Sequence, residues 1–162
     1  MKKILSVLLN TFFRLFKVQK KKIVFQSARG LVDGNPKAFY DYMRKHHKDE
    51  YTLYYLVEKD MDTSFLDQED IIYYRSMKGY YHLATAKFWV CSHSIGSLIK
   101  KRDNQIYLQT WHGRALKKMG YDVMGAEVRE CMDHAKEWDY YIANDKEDVN
   151  IIRSATGFNK NA

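Results

Sequence analysis

Past the middle of the chain stands Gln105-Ile-Tyr-Leu-Gln-Thr-Trp-His-Gly113, and the rest of the sequence is arranged around this stretch. Its segment Ile106 to Leu108 is a short apolar, β-prone run of the kind that forms a buried strand. His112 follows where this strand is expected to end. Gly113 leaves room beside the imidazole for a turn or a ligand. We predict that a helix opens at Leu116 to Met119.

The chemistry around His112 has two interpretations. An imidazole at the carboxyl end of a strand, with Lys117 and Lys118 at a helix start just beyond it, suits proton transfer beside a phosphate. A lone loop histidine is more often structural or simply exposed, and two adjacent lysines often form only a hydrated surface pair. The pattern alone leaves both interpretations open.

Composition indicates one globular domain with an anionic partner. The chain has 162 residues, of which 46% are hydrophobic, so it can bury a single core. Its net charge of +7 is compatible with phosphate, an acidic membrane surface or nucleic acid. Cys91 and Cys131 lie far apart, which indicates neither a zinc knuckle nor a disulfide framework, and a reducing cytoplasmic setting is the simplest inference. We expect no metal site.

Residues 1–21 are predicted to associate with a membrane. Lys2 to Val18 has the period of an amphipathic helix with a broad Leu- and Phe-rich side, and it runs into Lys20-Lys21-Lys22. Asn10 and Arg14 interrupt the apolar run, which excludes a signal peptide core or a spanning helix. An interfacial helix on an anionic membrane surface fits this pattern. The alternative is a helix packed on its own domain or on a partner subunit.

The alternation of strand and helix patterns over residues 22–158 predicts an open parallel α/β sheet of the Rossmann-like class, with 159–162 as a tail. The predicted strands are Ile23–Gln26, Tyr51–Val57, Ile71–Tyr73, Phe88–Cys91, Gln105–Leu108 and Asp139–Ala143. The predicted helices run from an Asn35 cap to His47, from a Ser76 cap to Ala86, over Glu127–Lys136, and from an Asn144-Asp145 cap to near Gly157.

Ligands of such sheets bind beyond the carboxyl ends of the strands. The side chains that follow those ends are Ser27, Arg29, Ser92, His93, Thr110, Trp111, His112 and Asn144. A solvated Arg29 and a hydrogen-bonded structural His93 remain the commoner alternatives to ligand contacts. The chain has no glycine fingerprint for a dinucleotide, no P-loop, and no Ser-His-Asp order or carboxylate pair for hydrolysis.

Several motifs together resemble one known family. They are Gly34-Asn-Pro-Lys-Ala38 before a helix, Tyr107-Leu-Gln-Thr-Trp-His-Gly113, Leu116-Lys-Lys-Met-Gly120 with Asp122, and Trp138-Asp-Tyr-Tyr-Ile142. This combination resembles the CDP-glycerol glycerophosphotransferases, the teichoic acid primases and polymerases of bacterial cell walls. The resemblance covers about Lys22 to Phe158. It implies a two-domain GT-B architecture in which this region is the amino-terminal, acceptor-side domain.

The resemblance implies a role for each candidate residue. His112 corresponds to the general base, which takes the proton from an acceptor glycerol hydroxyl as its oxygen attacks the β-phosphorus of CDP-glycerol and CMP leaves. Thr110, Trp111 and Gly113 would shape the site, and Lys117 or Lys118 could face phosphates of donor or acceptor. The position beyond the strand ends adds Arg29, Ser27 and His93 as substrate-binding candidates. No cofactor is implied beyond the donor substrate, CDP-glycerol or a similar CDP-alditol.

The resemblance also implies location and partners. We expect peripheral attachment at the cytoplasmic face of the bacterial membrane, a lipid-linked acceptor and no nucleic acid, since the positive charge is scattered. Arg114-Ala115 replaces the Thr-Pro usual in the family and adds a positive charge. The chain stops before the family's donor-binding domain, so we expect an incomplete transferase that requires a separate carboxyl-terminal half or a homo-oligomer. The alternative is a non-catalytic membrane-binding or acceptor-binding module.

Overall fold

A computed structural model describes residues 2–95, 98–114, 117–123 and 133–160. Its strands are β1 (Gln19–Gln26), β2 (Thr52–Val57), β3 (Ile71–Tyr73), β4 (Ala86–Cys91), β5 (Ile106–Gln109) and β6 (Tyr140–Tyr141). They form one sheet in the order β3-β2-β1-β4-β5-β6, and every neighbouring pair is parallel. The prediction of an open parallel α/β sheet is therefore confirmed.

Helices lie on both faces of this sheet. They are α1 (Lys2–Phe13), α2 (Gly34–His47), α3 (Met77–Thr85) and α4 (Lys146–Thr156), with short 3-10 turns at Ala28–Gly30, Gln68–Asp70, Gly120–Asp122 and Asp133–Glu137. In the part of the chain that the structure describes, no helix has the length and apolar character needed to cross a membrane.

The core has one half on each side of the sheet. On the α2 side, Phe25 and Tyr55 are fully buried with Tyr40 of the helix packed against them. On the other side, α3 and α4 cover Trp89 and Tyr107, whose ring centroids lie 5.7 Å apart. Apolar side chains point to both faces because a parallel sheet is covered on both faces, as its near-continuous apolar strands indicate.

The strand order creates a switch point between β1 and β4. The chain moves from β1 outward to β2 and β3, and then crosses back to begin β4 on the other side of β1. Connections leave the sheet in opposite directions at this point, which opens a crevice beyond the carboxyl ends of the strands. The loops after β1, β4 and β5 meet at this end of the sheet.

Two predicted helix starts are wrong. The cap of α2 is Asp33 rather than Asn35, so Asn35 lies inside the first turn of the helix. The helix expected at Leu116 to Met119 is absent from its described part, because Lys117 to Met119 are irregular and the 3-10 turn Gly120–Asp122 follows; Leu116 lies outside the described residues.

Two further predicted helices differ in extent. The one predicted over Glu127–Lys136 falls mostly on residues 124–132, which lie outside the described residues, and Asp133–Glu137 forms a 3-10 turn. The first helix ends at Phe13 instead of Val18. The Arg102 guanidinium accounts for this end, since it donates hydrogen bonds to the carbonyls of Phe13 and Phe16 and so satisfies groups that a helix end leaves open.

Helix α1 is attached to the domain by hydrogen bonds of Ser6 and Asn10 and by the buried Phe13. Ser6 donates its hydroxyl to the Leu98 carbonyl at 2.6 Å, and the Asn10 amide donates to the same carbonyl at 2.8 Å. The Asn10 side-chain oxygen accepts from the Lys100 N–H at 2.9 Å. The apolar side chains exposed on the other side are Ile4, Leu5, Val7, Leu8, Phe12, Leu15 and Phe16.

Candidate functional site

The candidate site lies at the carboxyl ends of β4 and β5. Cys91 and Gln109, the last residues of these strands, are direct partners in the sheet. The pairing continues beyond them, since the Thr110 N–H donates to the Cys91 carbonyl at 2.8 Å. The loops that follow the two strands therefore leave the sheet side by side.

Three rings stack where these loops meet. The His112 imidazole lies 4.3 Å from that of His93 and 4.5 Å from the Trp111 ring, and each pair is inclined by 22°. The His112 side chain is exposed, whereas Trp111 is half-buried. Stacking fixes the plane of the imidazole, and its ring nitrogens lie on the edge that a substrate could approach.

The backbone around His112 has an uncommon conformation. Trp111 has φ 53° and Gly113 has φ 133°, so both neighbours of the histidine lie in the positive-φ region. For a bulky residue such as Trp111, this conformation costs about 1–3 kcal/mol and persists only where other contacts impose it. One such contact is the hydrogen bond from the Trp111 N–H to the Gln109 side-chain oxygen at 2.9 Å.

Asn35 supplies the other contact, and it is a site residue that the sequence analysis missed. Its amide nitrogen lies 2.8 Å from the Thr110 carbonyl oxygen and 3.3 Å from that of Trp111. One side chain at the start of α2 thus holds the two carbonyls that immediately precede His112. The Gly34-Asn-Pro motif contained the signal, but it was interpreted as a helix cap and as a family motif, not as a contact of the His112 loop.

Two predicted substrate-binding residues have supporting positions instead. Ser27 is fully buried, and its hydroxyl donates to the Asp33 carbonyl at 2.5 Å and accepts from the Tyr55 hydroxyl at 2.5 Å. Thr110 is 2% exposed, and its hydroxyl lies 3.3 Å from the Cys91 carbonyl. Ser27 thus lies beneath its own loop, with its hydroxyl bonded within the protein, and its contact with substrate stays a prediction. The Thr110 side chain shapes the loop from below.

No position at the candidate site is established for the cationic side chains that were predicted to contact phosphate. Lys117 and Lys118 are exposed and have no helix start beneath them. The side chain of Arg29 lies outside the described residues. Arg114, which was expected to add positive charge to the loop, pairs with Glu147 and lies 3.5 Å from Asp145, at the start of α4.

A buried layer beneath Trp111 has polar atoms without hydrogen-bond partners. Trp138 and Tyr141 each lie 6.2 Å from the Trp111 ring. In the described residues the unpartnered atoms of this layer are Gln109 Nε2, Trp138 Nε1, Tyr141 Oη and Asp148 Oδ1. Burial raises the pKa of Tyr141, so its hydroxyl remains protonated and able to donate. This layer retains hydrogen-bonding capacity directly below the loop.

Neither metal nor thiol chemistry has a visible basis in the described residues. No group of three His, Cys, Asp or Glu side chains converges there. Cys91 is buried, and burial raises the pKa of its thiol, which removes the thiolate that nucleophilic catalysis needs. Cys131 lies outside the described residues. The histidine pair is the chemically competent feature of this edge.

Sequence comparisons identify similar proteins. The family model described as CDP-Glycerol:Poly(glycerophosphate) glycerophosphotransferase matches residues 8–162. The teichoic acid poly(glycerol phosphate) polymerase of Bacillus subtilis (strain 168) is 33% identical over 88% of this chain and 20% of its own length. The teichoic acid glycerol-phosphate transferase of Staphylococcus aureus (strain NCTC 8325 / PS 47) is 30% identical over 90% of this chain and 40% of its own. The chain thus spans about a fifth to two fifths of these relatives.

The fold is also similar to solved structures of the wall teichoic acid polymerase TagF. One aligns over 98% of this chain and 44% of TagF with a TM-score of 0.80 and 24% identity. A histidine-to-asparagine variant of TagF soaked with CDPG aligns over 99% of this chain and 42% of TagF with a TM-score of 0.85 and 24% identity. At these identities the likeness concerns the fold alone.

Proposed function

This chain belongs to the CDP-glycerol:poly(glycerophosphate) glycerophosphotransferase family, and from that premise we propose that it is the acceptor-side domain of a transferase in teichoic acid synthesis. The transferase moves glycerol phosphate from CDP-glycerol to a lipid-linked acceptor. A second domain, as in the GT-B architecture, supplies the donor site. The observation that carries the proposal is the exposed His112 imidazole, held between two rings at the carboxyl rim of the sheet.

In the proposed reaction, His112 acts as general base. Its neutral imidazole takes the proton of an acceptor hydroxyl while that oxygen forms a bond to the β-phosphorus of CDP-glycerol. The bond between this phosphorus and the CMP oxygen breaks, and CMP leaves with the electron pair. A well-placed base contributes about 10² to 10⁴ in rate. The left-handed turn at Trp111 and the Asn35 amide supply the placement.

His93 is the second histidine of this site, and we assign it a positioning role. Its ring stacks on His112 at 4.3 Å, and its carbonyl accepts from the Tyr107 hydroxyl at 3.0 Å. The hydroxyl of a buried tyrosine thus fixes the loop that carries His93. His93 in turn restrains the rotation of the His112 ring.

The experiment is a complementation assay of CMP release. The full chain is combined with a carboxyl-terminal half from a family relative, CDP-glycerol and a lipid-linked acceptor. His112→Asn is expected to reduce the rate by about 10² or more, because the base is removed. The matched control is His46→Asn, the same substitution at an exposed histidine of α2.

Two outcomes would contradict the proposal. Equal CMP release by His112→Asn and the unchanged chain would remove the general base. Absence of turnover with every complementing half would favour the alternative of a non-catalytic acceptor-binding module.

We also propose that α1 attaches the chain to the cytoplasmic face of the membrane. Ser6 and Asn10 bond to the domain and Phe13 is buried in it, while Ile4, Leu5, Val7, Leu8 and Phe12 remain exposed. The exposed Lys17, Lys20 and Lys21 follow directly. This combination suits an interfacial helix, with apolar side chains at the acyl boundary and lysines contributing about 1 kcal/mol each on anionic head groups.

Vesicle sedimentation tests this attachment. The chain should bind vesicles that contain phosphatidylglycerol more tightly than vesicles of phosphatidylcholine alone. Phe12→Ser should weaken binding about tenfold, since a largely exposed aromatic ring would no longer enter the bilayer. Tyr42→Ser, at an exposed aromatic residue of α2, is the control. Equal binding by both variants would contradict the role of α1.

A further inference from the structure

Below the loop that follows β4 lies a partly open cavity of about 120 Å³ that the proposed transfer step does not use. Two aromatic side chains of the sheet, Trp89 and Tyr107, form its floor. Ser94 and Lys100 of the loop after β4 and His134 and Glu137 of the 3-10 turn before β6 lie around it.

The floor of the cavity is apolar in character. The Trp89 indole N–H donates to the Leu83 carbonyl at 2.9 Å, and the Tyr107 hydroxyl donates to the His93 carbonyl at 3.0 Å. Both polar groups are therefore occupied elsewhere. The two rings present carbon surface, against which the carbon atoms of a small ligand can pack.

The rim of the cavity is polar and unpaired. Across the ranges that the structure describes, the side chains of Ser94, His134 and Glu137 form no hydrogen bond or ion pair. Together they offer a hydroxyl, an imidazole and a carboxylate, and the exposed Lys100 adds a cation. Vicinal hydroxyl groups bind well to such a mixed set of donors and acceptors.

We propose that this cavity binds one glycerol phosphate unit of the acceptor, an inference that rests on the proposed transferase function. The hydroxyl groups of the unit bind Ser94, His134 and Glu137, and its phosphate lies at Lys100. The cavity volume of about 120 Å³ is well above the roughly 10–15 Å³ that a single water needs, and it suits a three-carbon polyol. A nucleotide or another ligand that needs about 300 Å³ or more does not fit.

The position of the cavity supports this ligand. Tyr107 lines the cavity and donates a hydrogen bond to the His93 carbonyl, and the His93 ring stacks on His112. His93 therefore links a lining residue of the cavity to the proposed base. Ser6 of α1 lies on its wall. The cavity is thus lined both by α1 and by the tyrosine that holds the His93 loop. A lipid-linked polymer that enters along α1 would place one unit in the cavity and the following hydroxyl at His112.

Binding is tested by NMR titration of the isotopically labelled full chain with sn-glycerol 3-phosphate, and in parallel with inorganic phosphate. We expect glycerol phosphate, but not phosphate alone, to shift the resonances of Ser94, Tyr107 and His134. Ser94→Leu, which occupies the cavity, should weaken binding about tenfold or more, and Glu137→Gln should weaken it by a similar factor through loss of a charged acceptor. Ser64→Leu, at an exposed serine on another surface, should leave the affinity unchanged.

The outcomes separate this inference from the transferase proposal, because the titration contains no donor. Equal shifts by inorganic phosphate would show that only the charge is recognised, which overturns the polyol site. Unchanged affinity in both Ser94→Leu and Glu137→Gln would also overturn it. Should Ser94→Leu lose its native circular dichroism, Glu137→Gln alone decides. If the cavity variants retain full affinity while CMP release still depends on His112, the cavity proposal is wrong and the transferase proposal stands.

Discussion

Asn35→Asp is the sharpest probe of how the His112 loop is held. The substitution keeps the shape of the side chain but replaces its amide group by a carboxylate. The carboxylate accepts hydrogen bonds and cannot donate them. In the structure the amide nitrogen faces the carbonyl oxygens of Thr110 and Trp111 at 2.8 and 3.3 Å. The variant therefore loses two hydrogen bonds and places a negative charge against two acceptors.

The magnitude follows from opposing contributions. Loss of two hydrogen bonds, at about 0.5–1.5 kcal/mol each, destabilises the closed loop by about 1–3 kcal/mol. An aspartate in the first turn of α2 interacts favourably with the helix dipole by about 0.3–1 kcal/mol. The loop around Trp111 should thus open more often, while the stability of the whole domain changes little.

Amide hydrogen exchange resolves these two effects. At about 1.4 kcal/mol per factor of ten, exchange at Trp111 to Gly113 should accelerate by about fivefold to a hundredfold in Asn35→Asp. Asn35→Ala should accelerate exchange by a similar factor, but it lacks the favourable interaction of a carboxylate with the dipole of α2. Lys37→Ala is the control, since it removes only the pair with Asp41 on the same helix. Exchange that is equally slow in both Asn35 variants and the control would refute the reasoning.

Three further changes test separate parts of the fold. Gly113→Ala should destabilise the chain by about 1–3 kcal/mol in urea unfolding, because φ is 133° there while no atom lies within 4 Å of the added carbon; an unchanged midpoint would contradict this. Lys22→Met should raise the free energy of unfolding by about 1–3 kcal/mol at pH 7, since it removes a buried charge. Burial lowers the pKa of Lys22 to about 8 in the folded chain. Between pH 8 and about 10.5 the unfolded chain therefore binds one more proton than the folded chain, so the free energy of unfolding should rise with pH in this window. This rise should be absent in Lys22→Met. Phe13→Ala should cost about 3 kcal/mol in unfolding while Phe12→Ala costs much less, because Phe13 is 3% exposed and Phe12 is 51% exposed; equal effects would show that α1 is docked differently.

Local patterns predicted most of the fold. The strands stand out because their residues are apolar on both faces, as Val24 and Phe25 show in β1. Helix α4 carries its own signals, with the Asp145 side chain accepting from the Asp148 N–H at 2.8 Å and Gly157 in the left-handed region at its end. Such features depend only on nearby residues, so the sequence suffices to locate them.

The composition of the site could be predicted only in part, because it depends on strand order. His93 and His112 stack since β4 and β5 are neighbours, and nothing within either segment states this adjacency. The contact of Asn35 with the Thr110 carbonyl links residues 75 positions apart. Ser27 was predicted to contact substrate because it follows a strand. Its burial depends on how the loop to Asp33 folds back, which the sequence around it does not show.

Helix α1 shows most clearly what a periodic pattern leaves undecided. The period establishes that one side is polar and the other apolar, yet it does not state which side faces the domain. In this chain Ser6 and Asn10 bond the Leu98 carbonyl and the Lys100 N–H, and Phe13 of the same helix is buried in the core, so the docked side carries both polar and apolar residues. The other apolar side chains of the helix, among them Ile4, Leu8 and Phe12, are left in water at a cost of about 25 cal/mol for each Å² exposed. This exposed apolar surface, together with the exposed lysines that follow it, is the basis of the proposed attachment of α1 to an anionic bilayer surface.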